Sequence, residues 1–520
     1  MTPSYDELLL IDTVADMGID NSLDIIALLV DFALDFRSTD GLERAFRFID
    51  ETHSKDLSAP QKSLLHYFCA NAWANRLALN FKKMDDQWGW EQEEYERQII
   101  HLRLALSVEG FIQLPTDRQC QILTNLANIL DHVGRSVEAI WYWDRALMAI
   151  PDFEMALGNK GIGLYHCAFS HYHRHDNIRI IEQSYQFLQQ ALNAVDLHQS
   201  ARDHFTYYLN TVSAWKAHED AIGHQFEDSS YAGETNEEIE YRKWCLKHRL
   251  FLNILNDIEE TPNAATDKLV LPSISTLSTD SGFHRHGMFN QLKQEYVAAR
   301  FIYFDAMQSK EVHFADRKVR LYNTLDYPTY SLAIEKTKMS FRTAYSLFDK
   351  IAFFLNSYLG LNIPERNVSF RTCWYKQQNR KRGLRNEFVT RRNWPLRGLF
   401  WLSKDLFEEK PDFMEALEPS AQDLNMIRNH LEHKYLKVHE FGTPHPDGQS
   451  VFDDNLAFSV GRAELNSRTL WLLKLARSAL VYLCMAVQWE ERQKQANSES
   501  EIDLKHFTIH IEDFDDDWKF

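Results

Sequence analysis

The chain is poor in the residues that interrupt helices. It contains 18 Gly and 13 Pro among 520 residues, which predicts long helices joined by few tight turns. Its six cysteines are scattered and no two form a CxxC pair, so neither a zinc site nor a disulfide framework is indicated. We therefore expect no metal and no other cofactor, and the isolated thiols fit a reducing cytoplasm.

Long apolar runs are scarce as well. The first residues, Met1 to Glu7, lack a basic region ahead of an apolar run, so no signal peptide is expected. The most apolar late stretch, Ser478 to Val487, is too short to cross a bilayer, and Lys474 and Arg477 come just before it. These features predict a protein without a membrane partner.

One basic segment opposes the overall acidic charge. The chain has 57 Lys and Arg against 75 Asp and Glu, a formal charge of −18, and a uniformly acidic surface repels RNA. Between Arg371 and Arg397 the only acid is Glu387, and the segment carries Arg371, Lys376, Arg380, Lys381, Arg382, Arg385, Arg391, Arg392 and Arg397, interleaved with Trp374, Tyr375, Phe388 and Trp394. Basic side chains neutralise phosphates, and aromatic rings stack on unpaired bases.

This segment, called the basic segment below, is interpreted as a nucleic-acid or nucleotide surface. The residues expected to contact RNA are Arg380, Lys381, Arg382, Arg385, Arg391, Arg392 and Trp374. The alternative interpretations are a solvated basic loop, or a patch that docks on the acidic N-terminal half of the chain.

A short motif carries candidate chemistry. Residues 428–433 read Arg-Asn-His-Leu-Glu-His. An arginine holds a phosphate with a planar fork of donors, and a histidine titrates near neutrality, so it can take or give a proton. On a helix, this spacing is expected to place Arg428 and His433 on neighbouring faces. A metal-independent ribonuclease needs this pair of side chains.

The spacing by itself is not specific. Two other arginine and histidine pairs, Arg47 with His53 and Arg242 with His248, are similarly spaced, and we interpret both as coincidences. Among the three pairs, only the arginine at position 428 is followed directly by Asn. The alternative interpretation of the hexapeptide is an exposed helical turn in which Arg428 pairs with the glutamate four residues later.

The sequence predicts paired helices over the first 215 or so residues. Their predicted helices are 22–37, 42–53, 60–80 and 92–108, and the clearest unit, from Cys120 to Pro151 with Gly134 at its turn, matches the 34-residue tetratricopeptide pattern. A next unit is stretched by a histidine-rich insert. The insert contains His171, His173 and His175, without a convincing spacing of metal ligands. Stacked repeats of this kind predict a binding or sensing surface.

The remaining chain divides by composition. Polar stretches around an aromatic piece, Tyr241 to Leu246, indicate a connector with one docked helix or strand. Apolar stripes then predict long helices at 288–308, 330–356, 419–437 and 462–489, which together form a bundle. The predicted domains are a repeat domain at 1–216, a connector at 217–285, a bundle at 286–492 and a solvated acidic tail at 493–520.

The bundle that carries Arg428, Asn429 and His433 resembles the HEPN superfamily of ribonucleases and toxins, whose motif is an arginine, a polar residue and a histidine. Three further stretches are similar to the subgroup in which tetratricopeptide repeats come first: Trp244–Leu246 with Leu252–Asn253, Asn323–Pro328 and Ser346–Lys350. The resemblance covers roughly residues 240–490. It implies an all-α protein, with a TPR-like helical-repeat solenoid followed by a HEPN-like helical bundle.

The resemblance also implies a function. Arg428 and His433 would be catalytic and Asn429 the supporting polar residue of a metal-independent endoribonuclease, a toxin or antiviral-defence effector that uses the RNA 2′-hydroxyl as nucleophile. The partners implied are RNA and a second copy, in a homodimer or higher homo-oligomer through the bundle, and a protein or peptide is a candidate ligand of the regulating repeats. The alternative is a non-catalytic scaffold that binds a partner protein or a nucleotide.

Overall fold

The computed structural model describes residues 3–81, 88–107, 109–172, 174–222, 231, 233–277, 283–309, 311–407, 421–440, 456–497 and 504–505. Its helices are α1 (Tyr5–Leu9), α2 (Ile19–Asp35), α3 (Thr39–His53), α4 (Ala59–Asn80), α5 (Glu93–Ser107), α6 (Thr116–His132), α7 (Ser136–Ala149), α8 (Glu154–Ser170), α9 (Arg174–Leu192), α10 (Gln199–Ile222), α11 (Asn236–His248), α12 (His284–Gln308), α13 (Leu332–Leu359), α14 (Asn386–Val389), α15 (Trp394–Phe407), α16 (Ala421–His433) and α17 (Arg462–Asn497). Its strands are β1 (Thr276–Leu277), β2 (Leu436–His439), β3 (Phe458–Gly461) and β4 (Leu504–Lys505). The all-α prediction is confirmed.

The N-terminal part is an array of helical repeats. Helices α2 to α9 pack as successive pairs, α2 with α3, α4 with α5, α6 with α7, and α8 with α9. The turn between α6 and α7 contains Gly134 at φ 93°, a conformation that costs glycine little. A side chain at Gly134 would also collide with the carbonyl oxygen of Trp394. Glycine therefore allows this repeat to touch α15 at the backbone.

The C-terminal part is a bundle built around α17. Helices α12, α13, α15 and α16 each contact α17, and its residues Leu472 to Val487 are almost entirely buried. Residues Arg462–Ala496 are long and apolar enough to span a membrane, but 83% of their most apolar window is buried inside the protein. A buried core helix has the same composition, because it too is surrounded by apolar side chains.

The connector is folded into the interface and is not a loose linker. Residues 250–257 follow α11 and form a buried segment that includes a 3-10 turn at Ile254–Asp257. Arg477 of α17 is fully buried and donates to the carbonyl oxygens of Phe251 and Asn253, at 2.5 and 2.7 Å, and to both carboxylate oxygens of Asp257, at 3.1 and 2.7 Å. Asp257 also accepts from Trp141 of α7 at 3.1 Å. One carboxylate thus joins the repeats, the connector and the bundle.

A second buried cluster joins the repeats to α15. Asp405 accepts two hydrogen bonds from Arg103, at 3.0 and 2.7 Å, and another from Arg135. Arg135 also binds Glu138, which accepts from Tyr482 of α17. Because these groups are removed from water, each needs its partners to offset the cost of desolvation.

Three segments differ from the sequence-based predictions. The helix predicted at 419–437 ends at His433, and residues 436–439 form β2, which pairs in parallel with β3. Helix α10 continues past the predicted domain boundary at 216 to Ile222. Helix α17 runs into the predicted tail as far as Asn497, and β4 pairs antiparallel with β1. The rest of the tail lies outside the described residues.

We expect Arg477→Leu and Asp257→Asn each to destabilise the protein by about 3–5 kcal/mol, because each change leaves a buried charge without its partner. Urea unfolding followed by circular dichroism measures the loss. The control is Arg462→Gln on the same helix, because its ion pair with Glu440 is exposed and its removal should cost at most about 1 kcal/mol. Equal losses for the buried and exposed pairs would contradict the role assigned to the Arg477–Asp257 pair.

Candidate functional site

The motif lies at the C-terminal end of α16. Asn429 Oδ1 accepts from Arg428 Nη1 at 3.1 Å, and the guanidinium carbon of Arg428 lies 5.5 Å from the centre of the Tyr345 ring of α13. Burial raises the pKa of Tyr345 and the charge of Arg428 opposes this shift. Arg428 and Asn429 are half-buried, and His433 is exposed. The arginine is held by a ring and an amide, and the imidazole faces solvent.

Arg428 and His433 do not converge within one chain. At about 100° per residue, five residues separate two side chains by about 140° around a helix and by about 7.5 Å along it. Arg428 accordingly lies against α13, and His433 lies on the solvent side. The expectation of neighbouring faces therefore needs correction.

The other side chains of the hexapeptide have structural contacts. Glu432 lies 3.6 Å from Arg342 Nε of α13, so the alternative pairing with Arg428 is not what the structure shows. His430 binds the carbonyl oxygen of Met426 at 2.8 Å and stacks on Phe458, with 5.0 Å between the ring centres. The two coincidental arginine and histidine pairs also lie on helices, on α3 and α11. Helical placement alone therefore does not distinguish the motif.

Of the four aromatic residues of the basic segment, Trp374, Tyr375 and Phe388 are buried and Trp394 is half-buried. Trp374 is fully buried, donates to the carbonyl oxygen of Phe370 at 2.7 Å and packs against Phe388 and Phe400. The assignment of Trp374 as a base-stacking residue needs correction, because its ring packs in the core against Phe370 and against Phe400 of α15. Hydrophobic burial explains the aromatic residues of this segment without RNA.

Several cations of the basic segment also have partners within the protein. Arg385 binds the carbonyl oxygen of Leu361 at 2.5 Å and the carboxylate of Glu387 at 3.2 Å. Arg391 binds Glu490 at 3.2 Å. Arg397 is buried, and its guanidinium carbon lies 4.6 Å from the centre of the Trp88 ring; burial lowers its pKa to about 10. These contacts favour docking on the rest of the chain for this half of the segment.

The remaining predicted RNA contacts lie on the surface. Arg380–Arg382 form a single 3-10 turn, in which Lys381 and Arg382 are exposed and Arg380 is half-buried. Arg392 is exposed as well. Arg380 also lines a cleft of about 370 Å³ together with Lys404 and acidic residues of the repeats, Glu91, Glu93 and Glu96. The cleft is mixed in charge.

A second basic and aromatic segment adjoins α16; only its residues Asn323–Pro328 stand out in the sequence analysis, and not as an RNA surface. Residues 311–331, called the arm, precede α13 and lack regular structure except for one 3-10 turn. The backbone N–H of Thr329 donates to the carbonyl oxygen of Val438 at 2.7 Å, and the hydroxyls of Tyr330 and Tyr435 lie 3.3 Å apart. The arm therefore runs beside the residues that directly follow His433. In the sequence, this segment could have been found from its three cations, which lie between Phe314 and Tyr322.

A buried ion pair fixes the arm. Lys437 of β2 binds Asp326, and both side chains are buried, with exposed fractions of 3% and 5%. Burial opposes ionisation of Asp326, but hydrogen bonds from Lys437 and Thr324 outweigh it and hold the pKa of this carboxyl below its ordinary value of 3.8. The pair is therefore intact at neutral pH and is lost only as pH falls through that lowered pKa.

The structure describes two of the three histidines of the histidine-rich insert. His171 is buried and its Nε2 lies 3.3 Å from Asp176, which also pairs with Lys268. His175 is exposed, and His173 lies outside the described residues. Within the described ranges no group of three or more potential metal ligands is brought together. His171 thus contributes to packing between the insert and the connector.

The comparison with protein families identifies the bundle. Residues 276–490 match the model of the LA2681-like HEPN family. This part of the chain is a HEPN domain. The matched range contains α12 to α16 and most of α17, and therefore includes the arm and the motif. No curated protein and no solved structure matches the chain.

We expect Asp326→Asn to release the arm of the HEPN domain, because it leaves the buried ammonium of Lys437 without its counter-charge. Amide hydrogen exchange at 326–330 and 436–438 should become at least about tenfold faster, with a local cost of a few kcal/mol. Glu440→Gln, which breaks an exposed pair with Arg462, is the matched control. Unchanged protection in Asp326→Asn would show that the pair does not hold the arm.

Proposed function

We propose that the protein is a metal-independent endoribonuclease, in which Arg428, Asn429 and His433 of the HEPN domain act on RNA. The observation that carries the proposal is the motif on α16, with an exposed imidazole beside a guanidinium held by Tyr345 and Asn429. HEPN domains are associated with ribonuclease and nucleotide-related functions, which supports the same class of substrate. The residues that would react are all within the matched family range.

The chemistry requires two proton transfers. The 2′-oxygen attacks phosphorus, its proton passes to a histidine, and the bond to the 5′-oxygen breaks as that oxygen takes a proton from a second acid. The products are a 2′,3′-cyclic phosphate and a 5′-hydroxyl. Arg428 stabilises the added negative charge on the phosphate oxygens. Asn429, which accepts a hydrogen bond from Arg428, orients the guanidinium.

A second copy of the chain completes the proposed site. Within one protomer, Arg428 and His433 lie on faces about 140° apart, so one helix does not bring both to a single phosphodiester. Two copies of α16 facing each other across a two-fold axis would bring each arginine near the partner's histidine. The second histidine then supplies the other proton transfer. The repeats are proposed to regulate this assembly, in a toxin or antiviral-defence effector.

The alternative is a non-catalytic scaffold that binds a partner protein or a nucleotide. One observation favours it: Arg428 is half-buried against Tyr345, as a structural cation–π contact would be. The exposed His433 favours the ribonuclease, because the scaffold gives this side chain no role. Cleavage assays separate the two.

We expect His433→Ala and Arg428→Ala each to lower the rate of RNA cleavage by about 100-fold or more, since general acid–base catalysis and charge stabilisation are each worth this much. EDTA should leave the wild-type rate unchanged. Cleavage of a labelled RNA with gel analysis of 2′,3′-cyclic phosphate ends measures the rate.

The matched controls for this test are Arg47→Ala and His53→Ala, which remove a similarly spaced pair from α3 and should leave the rate unchanged. Thermal unfolding verifies that every variant is folded. A His433→Ala protein that is folded and cuts RNA at the wild-type rate would exclude the proposed function.

We also expect His433→Ala protomers to inactivate wild-type protomers. When equal amounts of the two are unfolded and refolded together, half of the dimers are mixed and each lacks one of the two histidines, so the rate should fall to about a quarter of that of the same total amount of wild-type protein. Each protein refolded alone is the control. A rate of about one half, as expected when each copy acts by itself, would rule out a site shared between copies.

A further inference from the structure

The arm presents cations that no described carboxylate neutralises. Arg317, Lys318 and Arg320 are exposed, and none of them makes an ion pair within the part of the chain that the structure describes. The arm's own aspartates are engaged elsewhere: Asp316 accepts from the backbone N–H of Leu332 at 2.9 Å, at the start of α13, and Asp326 pairs with Lys437. Arg317, Lys318 and Arg320 therefore form a local positive patch, although Glu311, Asp316 and Asp326 balance their charge over the arm as a whole.

The arm also presents open aromatic rings. Phe314, Tyr322 and Tyr327 are exposed by 75%, 95% and 72%, whereas Trp374 and Phe388 of the basic segment are fully buried. Rings that alternate with cations bind single-stranded nucleic acid, because bases stack on the rings while phosphates contact the cations.

The backbone of the arm is held in an uncommon conformation. Lys318, Leu325 and Tyr327 have φ of 63°, 64° and 51°, a left-handed region that residues other than glycine rarely adopt. Such conformations persist where the surrounding structure enforces them and are frequent at binding sites. At Leu325 and Tyr327, the neighbouring contacts of Asp326, Thr329 and Tyr330 with β2 and its preceding turn hold this conformation.

We infer that the arm is the track that holds single-stranded RNA and leads its phosphodiester to His433. The arm reaches Tyr435, two residues beyond His433, through the contact between the Tyr330 and Tyr435 hydroxyls. The inference deepens the proposed function and rests on it for the identity of the ligand. It also moves the RNA surface from the basic segment, in which Trp374, Tyr375 and Phe388 are buried, to the arm.

A second copy of the chain is the competing occupant of this surface. It would cover the rings, but a symmetric contact through the arm would bring two positive patches together. Like charges in contact are destabilising at an interface, whereas RNA supplies the opposite charge. Charge complementarity therefore favours the nucleic acid.

The test measures the affinity of wild-type protein and variants for a fluorescent single-stranded RNA carrying 2′-O-methyl groups, which removes the nucleophile and prevents cleavage. Tyr322→Ala with Tyr327→Ala should weaken binding about 5- to 100-fold, the range for lost base stacking. Arg317→Gln with Lys318→Gln and Arg320→Gln should weaken it and lower the slope of log affinity against log salt by about 2. Tyr322→Phe, which keeps the ring, should bind as the wild type does.

The comparison variant removes the same charge from the basic segment, at Arg380, Lys381 and Arg382. Wild-type affinity and salt slope in the arm variants would overturn the inference, and so would arm variants that dissociate an oligomer in sedimentation velocity while binding RNA normally. The proposed function has its own test: it is wrong if folded His433→Ala protein still cleaves RNA at the wild-type rate. Weakened binding in the arm variants would then still support the arm as an RNA surface.

Discussion

Two buried guanidinium groups fix the connector against the bundle. Arg477 of α17 binds Asp257 and two backbone carbonyls of the connector, and Arg300 of α12 binds both carboxylate oxygens of Asp267 and the carbonyl oxygen of Leu250. Removing a guanidinium from water is costly, and hydrogen bonds to the connector offset that cost for Arg477 and Arg300. The connector supplies those acceptors, and its conformation is thereby fixed.

This constraint determines how the repeats relate to the HEPN domain. Asp257 also accepts from Trp141 of α7, and Asp405 of α15 accepts from Arg103 and Arg135 of the repeats. The repeats are therefore part of one packed body with α15 and α17. Helix α15 also contacts α16, which carries the motif. The buried polar interface is therefore the route by which the proposed regulation by the repeats would act.

At the candidate site, helix packing places Arg428 and His433 in different environments. Arg428 is drawn toward the bundle by Tyr345, and His433, at the last residue of α16, stays in solvent. The chain then turns into β2, whose buried Lys437 anchors the arm through Asp326. In the proposed function, Arg428, His433 and the cation-bearing arm form an incomplete site in one copy. The proposed dimer is the arrangement that completes it.

The sequence by itself determined the local and periodic features. Apolar spacing set the repeat helices, the stripe on α13 and the core helix α17, and the motif residues with their resemblance identified the HEPN domain, because these depend on neighbours within a few turns. Burial of Trp374, the end of α16 at His433, the folded connector and the placement of the arm were decided only by tertiary structure. A tryptophan or an arginine has the same identity whether it faces solvent or fills a core, and only contacts from distant parts of the chain choose between these environments.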